Sequence, residues 1–138
     1  MEIRQRYTLG KTEKLKSRKL IEQLFKQGIS FSIFPLRVIC IYNADEKYGS
    51  GIQAGFSVSS KNFKNATNRN RIKRLMREAY RLQKNELTST VQKNNKRLAI
   101  FFIYTGSELP QYNLIFEKIG VAIQRVQKNT NEAVTANM

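Results

Sequence analysis

Nine basic side chains fall between Lys61 and Lys84: Lys61, Lys64, Arg69, Arg71, Lys73, Arg74, Arg77, Arg81 and Lys84. One acid, Glu78, stands among them, so the local net charge is +8 (9 basic minus 1 acidic). Ordinary solvated helix faces mix signs, because an opposite i,i+4 pair gains a few tenths of a kcal/mol and a like pair loses as much. This pattern is a poor way to stabilise a helix and an effective way to hold a polyanion. From Arg69 to Arg81 arginine outnumbers lysine five to one, and the guanidinium fork suits bidentate contact with phosphate. Asn70 can donate and accept hydrogen bonds to sugar or base edges. The chemistry on offer is grip, not bond-making. The sequence has no histidine, a single aspartate (Asp45) and a single cysteine (Cys40). Histidine triads and histidine metal sites are excluded, and with them the commonest general base. With no phosphate-binding glycine loop and no cysteine cluster, no catalytic side chain and no protein-held metal are expected.

These residues need a helix to align them. At 100° per residue, with Ile72 at zero, Ile72, Leu75, Met76, Ala79 and Leu82 gather in one arc. Asn70, Lys73, Arg74, Arg77, Arg81 and Lys84 gather in the opposite one. Glu78, four after Arg74, can pair with it, but one acid cannot neutralise this face. "SSKNFK" reads as a basic loop leading into this helix, and "NELTSTVQKNN" as a polar loop after it.

The rest of the chain reads as a scaffold. Residues 1–14 form an extended basic arm. "SRKLIEQLFKQG" is a helix with Ser17 as N-cap and Gly28 as its stop. "FPLRVICIYN" is a strand, and the alternating "ISFSIF" before it a further short one. "IQAGFSV" alternates and is expected to pair antiparallel with "FPLRVICIYN". "RLAIFFIYT" is a continuous apolar run, as in a strand covered on both faces. A last helix spans Tyr112 to Gln127, with an apolar stripe and with Leu114 and Val121 off it; residues 128–138 are expected to be a disordered tail. The order describes one α+β domain over residues 1–138, a small sandwich of a sheet packed with helices.

Composition agrees. The 138 residues are 41% hydrophobic and carry 25 Lys and Arg against 10 Asp and Glu, a net of +15. Residues 1–28 alone hold eight basic residues and three glutamates. Nucleic acid is the first partner such a balance suggests. No apolar run nears the ~20 residues of a membrane span, and the N-terminus lacks the apolar segment of a secretory signal. Cys40 reads as a small buried apolar residue, compatible with a reducing cytoplasm.

"ATNRNRIKRLMREAYR" resembles the signature of the bacterial ribonuclease P protein component, an Arg-Asn-Arg core followed by Lys-Arg and a further Arg on one helix. "LKSRKLIEQLFKQG" and "GFSVSSK" resemble that family's first helix and its glycine-started strand. The likeness spans about residues 15–127. It implies a four-stranded sheet with a left-handed βαβ crossover. It also implies an accessory role: a partner catalytic RNA, with magnesium ions, removes the 5′ leader of precursor tRNA. The implied RNA-binding set is Arg69, Asn70, Arg71, Lys73, Arg74 and Arg77, to which charge adds Lys61, Lys64 and Arg81. The implied leader cleft takes in Ile21, Phe25 and Ile39. Two departures stand out. Lys64 replaces a usual glycine in a loop one residue longer, and Ile21 and Ile39 stand where aromatics are frequent. The competing expectation is a structural RNA-binding protein such as a ribosomal protein. Duplex DNA and a membrane surface are disfavoured, since the basic face runs well past one helical turn and no exposed apolar face accompanies it.

Overall fold

In the computed structural model, which describes residues 13–42, 51–94 and 96–136, α1 (Arg18–Gln27) forms where Leu20 and Leu24 share a face. The Ser17 hydroxyl accepts from Leu20 N at 3.3 Å and opens the helix. Gly28 closes it, donating its N–H to Leu24 O at 2.8 Å. Glycine is needed there for close approach, since a Cβ would stand 2.8 Å from Ile39 Cγ2. The arm before residue 13 and the turn around Asp45 lie outside the described residues.

Four strands and two long helices follow. They are β1 (Ile29–Ile33), β2 (Leu36–Tyr42), β3 (Ile52–Val58), α2 (Ala66–Lys93), β4 (Leu98–Tyr104) and α3 (Tyr112–Ala136). The sheet order is β1-β2-β4-β3. β1 and β4 both run antiparallel to β2, and β3 runs parallel to β4. The fold is thus α+β, and "ISFSIF" does supply a strand. The expected antiparallel pairing of β3 with β2 is not formed, because β4 lies between them. Leu98, Ala99, Ile100 and Phe102 are all buried, so β4 needs cover on both faces and takes a central place. A parallel β3–β4 pair requires a long crossover, and α2 provides it.

The two faces of the sheet are covered unequally. α2 and α3 roof one face, with Ile72, Met76, Tyr80, Ile115, Ile119 and Ile123 packed on Val38, Cys40, Ala54, Ile100 and Phe102. α1 roofs only part of the other, where Leu15, Leu20 and Leu24 meet Ile39 and Ala99.

Both long helices outrun their expected ends. "NELTSTVQKNN" is mostly helix, not loop, because Leu87 and Val91 are buried and prolong the stripe of Ile72, Met76 and Tyr80. Its threonines bond their own helix, Thr88 Oγ1 to Lys84 O and Thr90 Oγ1 to Glu86 O, both at 3.1 Å. α3 continues past Gln127 to Ala136, so most of the expected tail is helical; Thr130 is buried and donates to Val126 O at 2.9 Å.

Candidate nucleic-acid interface

The basic loop after β3 is fastened at both ends. Ser59 N bonds Tyr104 O at 3.3 Å, and Asn62 Nδ2 donates to the carbonyls of Thr105 (3.0 Å) and Gly106 (3.2 Å). Phe63 is buried, its ring 6.0 Å from that of Tyr104. Asn65 caps α2, its Oδ1 accepting from Thr67 N at 2.8 Å. Half-buried Arg69 turns back to donate to Phe63 O at 2.7 Å, so its first duty is to lock loop and helix together. This anchoring holds exposed Lys61 and Lys64 beside the positive end of a helix macrodipole, a favourable place for an anion.

Beyond the first turn the expected ridge is present, with changes. Asn70, Arg71, Arg74 and Arg77 are exposed, and Lys73 is half-buried. Among the described residues, Arg74 and Arg77 have neither an ion pair nor a side-chain hydrogen bond. Glu78 pairs with Arg81, not Arg74. Arg81 Nε and Nη2 reach its two oxygens at 3.1 and 2.5 Å and hold its carboxyl below the usual carboxylate range. Arg81 is therefore partly committed within the helix. Lys84 leaves the ridge altogether: it is 3% exposed and its Nζ contacts Glu13 Oε1 at 2.5 Å. The buried arc is rotated from the one the wheel suggested. Tyr80 and Lys84 lie inside, while Leu82 is 39% exposed. The cause is that α2 is packed on two sides, by the sheet and by α3.

The second expected region lies on the α1 side of the sheet. Phe25 is 53% exposed and Ile21 half-buried, but Ile39 is 2% exposed beneath α1. Ile39 is part of the packing, not an open contact. The accessible neighbour is Phe101, whose Cα partners are Ile39 on one strand and Gly55 on the other. Its ring meets Phe25 edge-on, with centroids 5.7 Å apart and planes at 70°. Gly55 makes room for it, since a Cβ there would stand 2.6 Å from Phe101 Cδ2. The next row of the sheet, Ser32, Arg37, Ile103 and Ser57, is exposed or half-buried and lies beyond the main cover of α1. The result is an aromatic corner opening onto a polar and cationic floor. Phe101 and Ile103 were missed in the sequence because "RLAIFFIYT" reads as uniformly buried; Arg37, on β2, was missed as well. The alternation of β2 offered a signal, since it puts Arg37 on the face of Ile39.

Among the described residues no acid–base centre accompanies these surfaces. Burial pushes the Cys40 thiol up to about 11, so it is no nucleophile near neutrality. Among the described residues no three His, Cys, Asp or Glu side chains converge as metal ligands.

The Ribonuclease P family profile matches residues 9–127. A ribonuclease P protein component of Porphyromonas gingivalis is 32% identical over 133 residues, covering 95% of each chain. One from Chlorobium phaeobacteroides is 30% identical, covering 87% of this chain and 88% of that one. The solved RNase P protein of Staphylococcus aureus shares the fold, with a TM-score of 0.64 at 22% identity over 84% of this chain and 95% of that one.

Proposed function

The chain belongs to the ribonuclease P protein family, the protein subunits of a tRNA-processing nuclease, and from that membership we propose how its two surfaces divide the work. The α2 ridge and its loop grip a catalytic RNA through Lys61, Lys64, Asn70, Arg71, Lys73, Arg74 and Arg77. Arg69 and Arg81 support that set while spending part of their donors on Phe63 O and Glu78. The Phe25–Phe101 corner receives an unpaired base of the precursor tRNA leader, with Ile21 beside it. Stacking on an aromatic is tolerant of sequence because every base has a π-face.

Cleavage is assigned to the partner RNA. Magnesium ions belong to the RNA in this reading. No described helix is long and apolar enough to cross a membrane, and we place the complex in the cytoplasm beside its RNA substrates. The observation that carries the proposal is the pair Arg74 and Arg77, exposed and without partners among the described residues on a helix whose opposite face is core. Reconstitution tests it. The purified chain alone is expected to leave precursor tRNA intact, and its addition to the cognate catalytic RNA to raise cleavage at low magnesium. Comparable cleavage by RNA-free protein would overturn the accessory role.

A further inference from the structure

The uncovered half of the α1 face ends at the β1–β2 turn, where Phe34 is 76% exposed, the largest value among the exposed large apolar residues described. β1 alternates. Phe31 and Ile33 pack toward α2 and α3, Ser30 and Ser32 lie on the α1 side, and Phe34 follows in the two-residue turn that leads into β2. The turn is held firmly. Pro35 is buried, and its carbonyl accepts from Thr105 N at 2.8 Å and Thr105 Oγ1 at 3.1 Å. The carbonyls of Thr105 and Gly106 in turn accept from Asn62, next to exposed Lys61. Arg37, opposite Ser32 in the hairpin, is also exposed. The one acid in these adjoining loops is Glu108. An aromatic ring is thus presented to solvent on a clamped backbone, among cations, at the end of the proposed leader path. A ring placed there gains little from folding, because it removes little apolar surface from water.

We propose that Phe34 is a second stacking post for an unpaired base of the same leader, beyond the Phe25–Phe101 corner and two strands across the sheet from Phe101. The proposal rests on the leader-cleft reading above. Duplex RNA keeps its bases stacked inside, so only a single strand can offer one to a lone protruding ring. Exposed Arg37 on β2 and exposed Lys61 on the adjoining loop carry the charge that the phosphates of such a strand would meet. A protein partner would want a broader apolar patch than one ring among cations provides.

The test uses the holoenzyme assembled from the full chain and its cognate catalytic RNA. Affinity is measured for precursor tRNAs carrying either a short leader that ends at the Phe25–Phe101 corner or a longer one. Phe34→Ala is expected to weaken long-leader binding about five- to tenfold, the loss of one stacked base, and to leave short-leader binding unchanged. Phe34→Trp is expected to restore it, and abasic nucleotides in the distal leader to abolish the difference between parent and variant. Equal affinities of parent and Phe34→Ala for the long leader would overturn the proposal. So would a loss independent of leader length, which would assign the ring to the catalytic RNA. If Phe25→Ala reduces leader-dependent affinity while Phe34→Ala does not, the second post fails and the cleft stands. A parent holoenzyme indifferent to the leader would remove the cleft reading and this proposal together.

Discussion

Three arginines in one motif stand in two different settings, and geometry separates them. Arg69 is half-buried and donates to Phe63 O, so Arg69→Ala should cost about 1.5–3 kcal/mol of stability, the range for a hydrogen bond from a charged donor. Arg74 and Arg77 face solvent, so the double change Arg74→Ala with Arg77→Ala should leave the thermal midpoint nearly unchanged while weakening RNA binding. Thermal melts alongside RNA titrations check both; a large drop in midpoint for the double variant would make those side chains structural. Cys40 gives a pH prediction. In the unfolded chain its thiol ionises near 9.0, whereas in the fold burial holds the proton until about 11. Unfolding therefore releases a proton between those values, and stability should fall as pH rises through that window and not below it. Tyr42, raised from 10.0 to about 12, adds a loss of the same sign slightly higher. Denaturant melts across the alkaline range check this, and Cys40→Ala should flatten the lower part of the loss.

At the scale of the element, α2 is two helices in function and one in structure. Its first half presents the ridge; its second half is anchored by Leu87 and Val91. Leu87→Ala should cost about 2–5 kcal/mol, as for buried leucines elsewhere, and calorimetry or denaturant melts would register it. A loss under 1 kcal/mol would mean that the segment is peripheral, as its polar composition suggested. That composition is why the segment was misread. Glutamate, threonine, asparagine and glutamine outnumber the two anchors, and the threonine hydroxyls are satisfied by carbonyls of their own helix. Lys84 was misread for the opposite reason: a lysine on a basic stretch looks like more of the ridge. Its partner Glu13 lies 71 residues away on a segment bridged to the outer edge of β3, a contact no local pattern announces. Lys84→Ala should be destabilising and Lys84→Met nearly neutral, because methionine fills the buried volume without needing a counter-charge and Glu13, less buried, can rehydrate.

At the scale of the whole molecule, the sequence announced what repeats or accumulates and was silent on what is assembled across distance. The basic ridge, the strands and the stripe of α3 are periodic, so they could be read. The position of β4 between β2 and β3 could not, because an apolar run states that both faces are covered and not which strands lie on either side. The aromatic corner was half legible for the same reason: Phe25 is on a helix with a clear face, while Phe101 acquires its role from the absence of a side chain at Gly55. Charge is the property that acts over the whole surface, and it yields the last prediction. A chain of net +15 that binds RNA through several phosphate contacts should show log affinity falling linearly with log salt. Each lost phosphate contact should flatten that line by roughly 0.7 to 0.9, depending on whether the RNA there is single- or double-stranded. Removing Arg74 and Arg77 together should therefore reduce the slope by roughly 1.4 to 1.8 if each holds one phosphate. Phe25→Ala should lower leader-dependent affinity with little change in slope, because stacking releases no counterions. Titrations of the two variants over one salt series separate the surfaces: parallel lines for the arginine variant would mean that the ridge does not grip phosphate.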